Sequence, residues 1–405
     1  MADRVAPDVA ERTADDVAAR ATDGATAGQV RTDHVTAPGR DDLAQRRDDL
    51  RERLDALADV AGGAGVDVLV LREPATLAWL LEARVHVPLT LDTACLDVVV
   101  DVSGDVPSIT VVTNAIEAPR LQETELANLP VEWAVVPWWE SRDSRLPRGA
   151  GTGSDRPADG AVDVGPAVRA LRLTPSLRQG RLLAGVGRDA AAAATRAALA
   201  LEPGMSEYAA AGVFAAELMA DAMDPIVLMV GGADRGARHR HPLPTARELG
   251  PLAMLVCCAR RSGVVASVTR IVSFGPVPPA TEDAYGRLLD VEQAFLDASV
   301  PGARLGDVVR AGTTAYGRNG FDPLEWHRHH QGGLSGFVPR EFPAHAGSEL
   351  VLGEGMVLAW NPSAEGVKVE DTALVTARGP ELLVHDPEWP ALQVGGRSRP
   401  DILRR

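Results

Sequence analysis

The stretch GEGMVLAWNP at residues 353–362, followed closely by GVKVEDTALVT at 366–376, decides the fold of this chain. Each segment begins with glycine and continues into an apolar run. The runs predict two buried strands, at about 355–361 and 367–376. Because Lys368 and Glu370 are two residues apart in the second strand, we expect them on the same face of the sheet.

Outward from this stretch, the second half of the chain repeats one order of elements. Helices are predicted at about 180–201, 206–223, 281–298 and 305–319. Strands are predicted at 226–230, 252–259 and 265–274, in addition to the two above. Each pair of helices is thus followed by strands, which indicates an internal structural duplication. A site between the two halves would draw residues from both.

The first half predicts a small α/β domain over residues 41–175. Apolar runs indicate strands at 66–71, 95–102 and 108–113, with a helical stretch around Thr76–Leu81. Residues 142–165 are dense in Gly, Pro and Asp, which predicts a long mobile loop near the domain boundary. Residues 1–40 have no aromatic residue and no sustained apolar period, which predicts a disordered tail. The second domain then covers residues 176–405.

Composition and charge exclude several classes of function. The 405 residues include 41 basic and 56 acidic ones, a net charge of −15. No basic excess exists to neutralise phosphates, so we expect neither a nucleic-acid nor a membrane partner. We find no apolar run of about 18 residues and no export signal at the N-terminus. Three cysteines, Cys95, Cys257 and Cys258, make no disulfide framework, and we therefore expect a cytoplasmic protein.

Four segments resemble the pita-bread-fold family of aminopeptidase P, prolidase and creatinase. They are RHRHPLP (238–244), CARRSGVVASVTR (258–270), HHQGGLSG (329–336), and the pair of stretches at 353–376 described above. Their order and spacing are family-like, and they cover about residues 180 to 390. The resemblance implies an α/β (α+β) fold in which a small creatinase-like α/β domain precedes a pita-bread domain.

The family's metal enzymes hold two metal ions with two Asp, one His and two Glu. The matching positions here are Val256 (Cys257 with a one-residue shift), Ser267, His330, Asn361 and Glu370. One carboxylate would therefore face a charge of about +4, which the family offsets with four. We expect no dinuclear centre, no metal and no other cofactor. A single ion held by His330, Glu370 and Asn361, with His241 or a cysteine, stays an alternative.

Creatinase is the family member that hydrolyses a C–N bond without metal. A histidine on a loop of its first half moves protons, while carboxylates hold a cationic substrate group. His241, with His239 as its rival, and Glu370 stand at comparable places in this sequence. The resemblance thus implies His241 as general acid–base and Glu370 as the group that binds and polarises the substrate. His330 is the third expected catalytic residue.

The remaining candidates are expected to bind substrate. They are Asn361, His239, His329, Arg270 and Arg84. For Arg270 the favoured interpretation is structural, in which it ties the two halves of the domain together, and substrate binding is the alternative. Arg84 would border a neighbouring subunit's pocket in a creatinase-like homodimer. Gly332-Gly333 permits either a close backbone approach or a substrate lying against the backbone.

The leading hypothesis is a metal-independent hydrolase or lyase with histidine acid–base catalysis. Its substrate would be a small polar or peptide-like molecule with a C–N bond. One alternative is a mono-metal aminopeptidase of the Xaa-Pro type, which a chelator would inactivate. The other is a non-catalytic pseudopeptidase that binds peptide or protein without turnover.

Overall fold

The computed structural model describes residues 40–87 and 92–405, so residues 1–39 of the predicted tail lie outside the described residues. The first sheet has the order β4-β3-β2-β1-β5-β6. Its strands are β1 Val68–Leu71, β2 Leu96–Asp101, β3 Ser108–Asn114, β4 Glu132–Val136, β5 Thr152–Ser154 and β6 Val162–Asp163. The accompanying helices are α1 Arg40–Ala64, α2 Pro74–Leu81, α3 Ala118–Glu123 and α4 Gly165–Arg172. The expected α/β architecture of this part is confirmed.

The prediction of a mobile loop at residues 142–165 is wrong. Both β5 and β6 lie in this stretch, and β5 pairs in parallel with the buried strand β1. At Gly153 a Cβ would come within 2.9 Å of side-chain atoms of Leu69 and Val164. Gly153 therefore permits close packing in the core of the sheet. The high content of Gly, Pro and Asp in residues 142–165 had indicated a mobile loop instead.

The second half of the chain forms the larger, nine-stranded sheet. Its order is β11-β10-β12-β15-β9-β8-β7, with β16 on β15 and β19 on β9. The helices are α5 Leu177–Ala200, α6 Glu207–Ala220, α7 Ala233–Arg238, α8 Pro279–Ala298 and α9 Leu305–Arg318. The strands of this half are β7 Asp224–Gly232, β8 Leu252–Arg261, β9 Val264–Ser273, β10 Gly332–Ser335, β11 Phe342–Pro343, β12 Val357–Trp360, β13 Ser363–Ala364, β14 Val367–Lys368, β15 Glu370–Thr376, β16 Gly379–Leu382, β17 Ala391–Val394, β18 Arg397–Pro400 and β19 Leu403–Arg404. Of these, β13 pairs with β14 and β17 pairs with β18 in two separate two-stranded sheets.

Every helix and strand predicted for this half is present, with bounds displaced by a few residues. The predicted strand at 367–376 is interrupted at Val369, which divides it into β14 and β15. The domain boundary predicted near residue 175 lies between α4 and α5, and the division at that residue stays a prediction. No helix in the described ranges combines the length and the apolar character needed to cross a bilayer.

The double glycine of β10 allows two neighbouring strands to approach it closely. Gly332 has a φ of +114° and Gly333 a φ of +148°. A Cβ on Gly332 would lie 2.1 Å from the Ala359 carbonyl oxygen, and one on Gly333 would lie 2.1 Å from that of Phe342. Close backbone approach therefore accounts for both glycines.

A buried ionic network joins the two halves of the large sheet. Arg270 on β9 donates to Asp371 on β15 at 2.8 Å, and Asp371 also lies 2.8 Å from Arg399 on β18. Arg399 in turn contacts Glu292 on α8 at 2.6 Å. The network agrees with the structural interpretation of Arg270. Its role in substrate binding stays a prediction.

Replacing Arg399 with alanine should lower the free energy of unfolding by about 3–5 kcal/mol, because Glu292 would be left buried without its cation. Urea denaturation measures this loss. Arg397→Ala is the matched control on the same strand, since its partner Asp297 is 60% exposed and the pair should contribute below about 1 kcal/mol. Equal losses in the two variants would contradict the importance of the network.

Candidate functional site

Three imidazoles meet near the start of β10 in the large sheet. His241 lies in the loop after α7, whereas His329 and His330 lie between the 3₁₀ turn Glu325–Arg328 and β10. One ring nitrogen from each lies within 4.8 Å of the others. His329 is buried, while His241 and His330 are exposed. The structure therefore brings together three of the predicted site residues, from two segments almost ninety positions apart.

His329 is held at both ring nitrogens. Its Nδ1 lies 3.1 Å from the Ser363 hydroxyl, and its Nε2 lies 3.1 Å from Nε2 of His241. Ser363 is positioned in turn, because its backbone N–H donates to the Tyr316 hydroxyl at 3.0 Å. Gln331 closes this chain of hydrogen bonds, because its side chain accepts from the Tyr316 hydroxyl at 2.8 Å and donates to the His329 carbonyl at 2.6 Å. The imidazole of His329 is thereby fixed in orientation.

Glu370 is the centre of a second group of polar side chains. Its Oε1 accepts from Arg340 at 2.7 Å, and its Oε2 lies 3.0 Å from the Lys368 ammonium. The Thr269 hydroxyl also donates to Oε2, at 3.1 Å. Burial raises the pKa of Glu370, but Lys368 and Arg340 outweigh it and bring the pKa to about 2. Glu370 and Lys368, which were expected on one face of the sheet, form an ion pair, and both carboxylate oxygens are engaged.

The charges of this group act on the three histidines. Burial and then Lys368 lower the pKa of His329 to about 2, and they lower the pKa of His241 in the same way. Burial and then Arg340 lower the pKa of His330 to about 4. All three imidazoles are therefore neutral near pH 7 and carry a lone pair for a proton or an ion.

Asn361 presents an unpaired acceptor. The residue is 2% exposed, and its Oδ1 has no hydrogen-bond partner among the described residues. Its backbone N–H donates to the Gln331 carbonyl at 3.0 Å, which places Asn361 beside the histidine segment. A buried acceptor without a partner is costly, so a donor from a bound molecule would stabilise it.

The residues at the family's metal positions do not fit a pair of metal ions. Val256 is an apolar core residue, and Ser267 is buried with its backbone N–H donating to Thr372. Cys257 is also buried, and burial raises the pKa of its thiol well above the usual value. Glu370 already pairs with two cations that would repel a metal ion. The donor set and the charge both disfavour a dinuclear centre.

The other predicted residues lie outside this cluster. His239 is exposed and shares with His241 a depression of about 480 Å³. Arg84, in the N-terminal part, is 60% exposed and lies 3.4 Å from Glu125. Their roles in substrate binding stay predictions. Sequence reasoning missed Arg340 and Ser363, and no motif or spacing marks either residue.

Acidification should destabilise the metal-free protein through His329. The folded state keeps this imidazole neutral, whereas the unfolded chain protonates it below a pH of about 6.5. Stability is therefore lost as the pH falls through that value, by about 2 kcal/mol between pH 6.5 and 4.5. Urea denaturation at pH 6.5 and 4.5 measures the free energy of unfolding at each pH. The loss between the two should be about 2 kcal/mol smaller in His329→Asn than in the unmodified chain.

His327→Asn is the matched control, because this exposed histidine packs on Trp326 in the same turn and lies outside the cluster. We expect it to keep the pH dependence of the unmodified chain. An unchanged pH dependence in His329→Asn would show that His329 is not held neutral by the fold.

The comparisons with known proteins agree with this architecture. The sequence profile of metallopeptidase family M24 matches residues 185–377. YkvY of Bacillus subtilis (strain 168), named as a candidate dipeptidase, is 25% identical over 167 residues, or 40% of this chain and 46% of YkvY. An uncharacterized peptidase of Staphylococcus aureus (strain MW2) is 28% identical over 124 residues, or 29% of this chain and 35% of that protein. The matched stretches thus span less than half of these relatives.

Solved structures extend the similarity of the fold to the N-terminal part. The dipeptidase PepE from Mycobacterium ulcerans covers 90% of this chain and 99% of its own, with a TM-score of 0.69 and 23% identity. The prolidase from Pyrococcus horikoshii OT3 covers 82% and 98%, with a TM-score of 0.69 and 15% identity. The resemblance drawn from the four segments is therefore confirmed: residues 185–377 form a domain of the metallopeptidase family M24 on a pita-bread fold.

Proposed function

We propose that this chain is a metal-independent hydrolase of the C–N bond in a small, peptide-like substrate that carries a carboxylate. The observation that carries the proposal is the hydrogen-bonded row Ser363–His329–His241 beside the cationic group around Glu370. The M24 domain supports hydrolysis of peptide C–N bonds over lyase chemistry. The residues at the family's metal positions do not fit two metal ions, and this supports a mechanism that relies on imidazoles.

His241 serves as the general acid–base. With Ser363 Oγ accepting from Nδ1–H of His329, Nε2 of His329 accepts from Nε2–H of His241. Nδ1 of His241 then has a lone pair and takes a proton from water as its oxygen attacks the carbonyl carbon. The resulting imidazolium is stabilised by Nε2 of His329. It returns the proton to the leaving nitrogen when the C–N bond breaks.

His330 and Asn361 orient the reacting amide. A neutral imidazole retains one N–H, and that of His330 donates to the carbonyl oxygen where negative charge develops. The unpaired Oδ1 of Asn361 accepts from a substrate N–H. These two contacts together hold the amide plane at the opening of the site.

The charge balance of the site favours an anionic substrate group. Lys368 and Arg340 are two cations against the single carboxylate of Glu370. Glu370 is fully engaged, so its role shifts from binding a cationic substrate group to holding these cations in place. A substrate carboxylate offsets the remaining positive charge. The engagement of Glu370 also disfavours the alternative in which it ligates a single metal ion.

Activity in chelator-treated protein tests this proposal. Dipeptides and N-acyl amino acids are offered as a library, and released amines are measured by mass spectrometry. We expect turnover that the chelator does not change, and a fall in kcat of about 10²–10⁴-fold in His241→Ala. His327→Ala is the matched control and should retain activity. Substrates with an amidated C-terminus should show a raised KM, because they lack the carboxylate.

Two outcomes would contradict the proposal. Turnover that the chelator abolishes and manganese restores would indicate a metal enzyme. Binding of library members without any product would indicate a pseudopeptidase. The expected homodimer and the cytoplasmic location stay predictions, which neither the fold nor the relatives test.

A further inference from the structure

We infer that His241, His329 and His330 also form a mononuclear site for a divalent ion that prefers imidazole nitrogen, such as Zn²⁺. This departs from the metal-free chain expected from the sequence, where these three residues could not be assembled. It shares only His330 with the positions that match the family's metal ligands. Its consequence for activity rests on the proposed function, because a bound ion occupies the histidine that moves the proton.

The spacing of the three nitrogens suits one ion. With Zn–N bonds of about 2.0–2.1 Å, two ligands of a tetrahedral site lie roughly 3.3 Å apart. The Nε2 atoms of His241 and His329 are already 3.1 Å apart. The ring nitrogen of His330 lies within 4.8 Å of both, and its exposed side chain can rotate to close the remaining gap. Two of the three ligands thus need little displacement.

The buried ligand has the outer support that metal-bound histidines require. Ser363 Oγ contacts Nδ1 of His329 and leaves Nε2 directed at the cluster. Gln331 holds the His329 backbone from the other side. Such partners set the orientation of the ring, and their loss commonly weakens metal binding by about 10–100-fold.

The donors select the class of ion. Three neutral imidazoles suit zinc, nickel, cobalt and copper, whereas manganese and magnesium prefer oxygen ligands. The charged groups facing the cluster are Lys368, Arg340 and Glu370, with a net charge of +1. That charge opposes a bare cation and favours an anion at the fourth position. Hydroxide or the substrate's carboxylate completes the site.

An ion bound in this way blocks the proposed mechanism. Nε2 of His241 then donates its lone pair to the metal and the ring proton lies on Nδ1, so Nδ1 can no longer take a proton from water. Zn²⁺ therefore inhibits the hydrolase, in contrast to the activation expected of a metallopeptidase.

Titration of the metal-free protein with Zn²⁺ tests the site. Isothermal calorimetry should give one ion per chain, and Co²⁺ should give the intense visible absorption of a tetrahedral complex. His329→Ala and His330→Ala should each weaken Zn²⁺ binding at least as strongly as Ser363→Ala, for which we expect about 10–100-fold. The control variant, His327→Ala, should bind as the unmodified chain does. Manganese should give no binding heat.

Several results would overturn the inference. Zn²⁺ binding equal in the control and in the His329 and His330 variants would indicate adventitious surface binding. An octahedral Co²⁺ spectrum, or no binding at all, would exclude the proposed site.

The activity assay separates this inference from the proposed function. Turnover in chelator-treated protein together with an absence of Zn²⁺ binding would overturn the inference and leave the function standing. Activation by bound Zn²⁺ would overturn the inhibitory role and the metal-independent function while retaining the three ligands. Folding of each variant is checked by its thermal melting temperature.

Discussion

The ion pairs of Glu370 are the constraint on which the rest of the site depends. A buried carboxylate is costly unless charged partners and hydrogen bonds compensate it, and Glu370 has Lys368, Arg340 and Thr269. These cations neutralise the Glu370 carboxylate, which metal ions would otherwise neutralise. Their charge also helps to keep the neighbouring imidazoles neutral. The ion pairs of Glu370 therefore disfavour a pair of metal ions at the family's positions. They also help to keep the three imidazoles neutral.

The large sheet supports this arrangement through backbone packing. Gly332 and Gly333 let β10 approach its neighbours closely, and this approach places the preceding histidine segment against β12 and the residues that follow it. Ser363 and Asn361, which follow β12, then meet His329 and Gln331. The buried network around Asp371 holds β15 against β9 from the other side of Glu370. Two independent buried features thus flank the site and fix its position.

The proposed hydrolase and the inferred ion site use the same three imidazoles and exclude each other. Proton transfer needs a lone pair on Nδ1 of His241, whereas an ion on Nε2 of His241 leaves the ring proton on Nδ1. Proton transfer uses the positions that the ring nitrogens already have. Binding of an ion also needs rotation of His330 and a compensating anion. The balance between them is set by the available concentration of the ion and by the substrate's own charge.

The sequence by itself determined the four longer helices and the five predicted strands of the second half, the family resemblance, the loss of metal carboxylates, and the placement of Lys368 and Glu370 on one face. These features depend on local periodicity and on residues a few positions apart. Only the tertiary structure decided that Arg340 reaches Glu370, that Ser363 holds His329, and that β5 and β6 belong to a sheet. It also decided that His241 meets His329 across 88 positions. Such contacts follow from strand pairing and loop closure between distant segments, which no local pattern of side chains specifies.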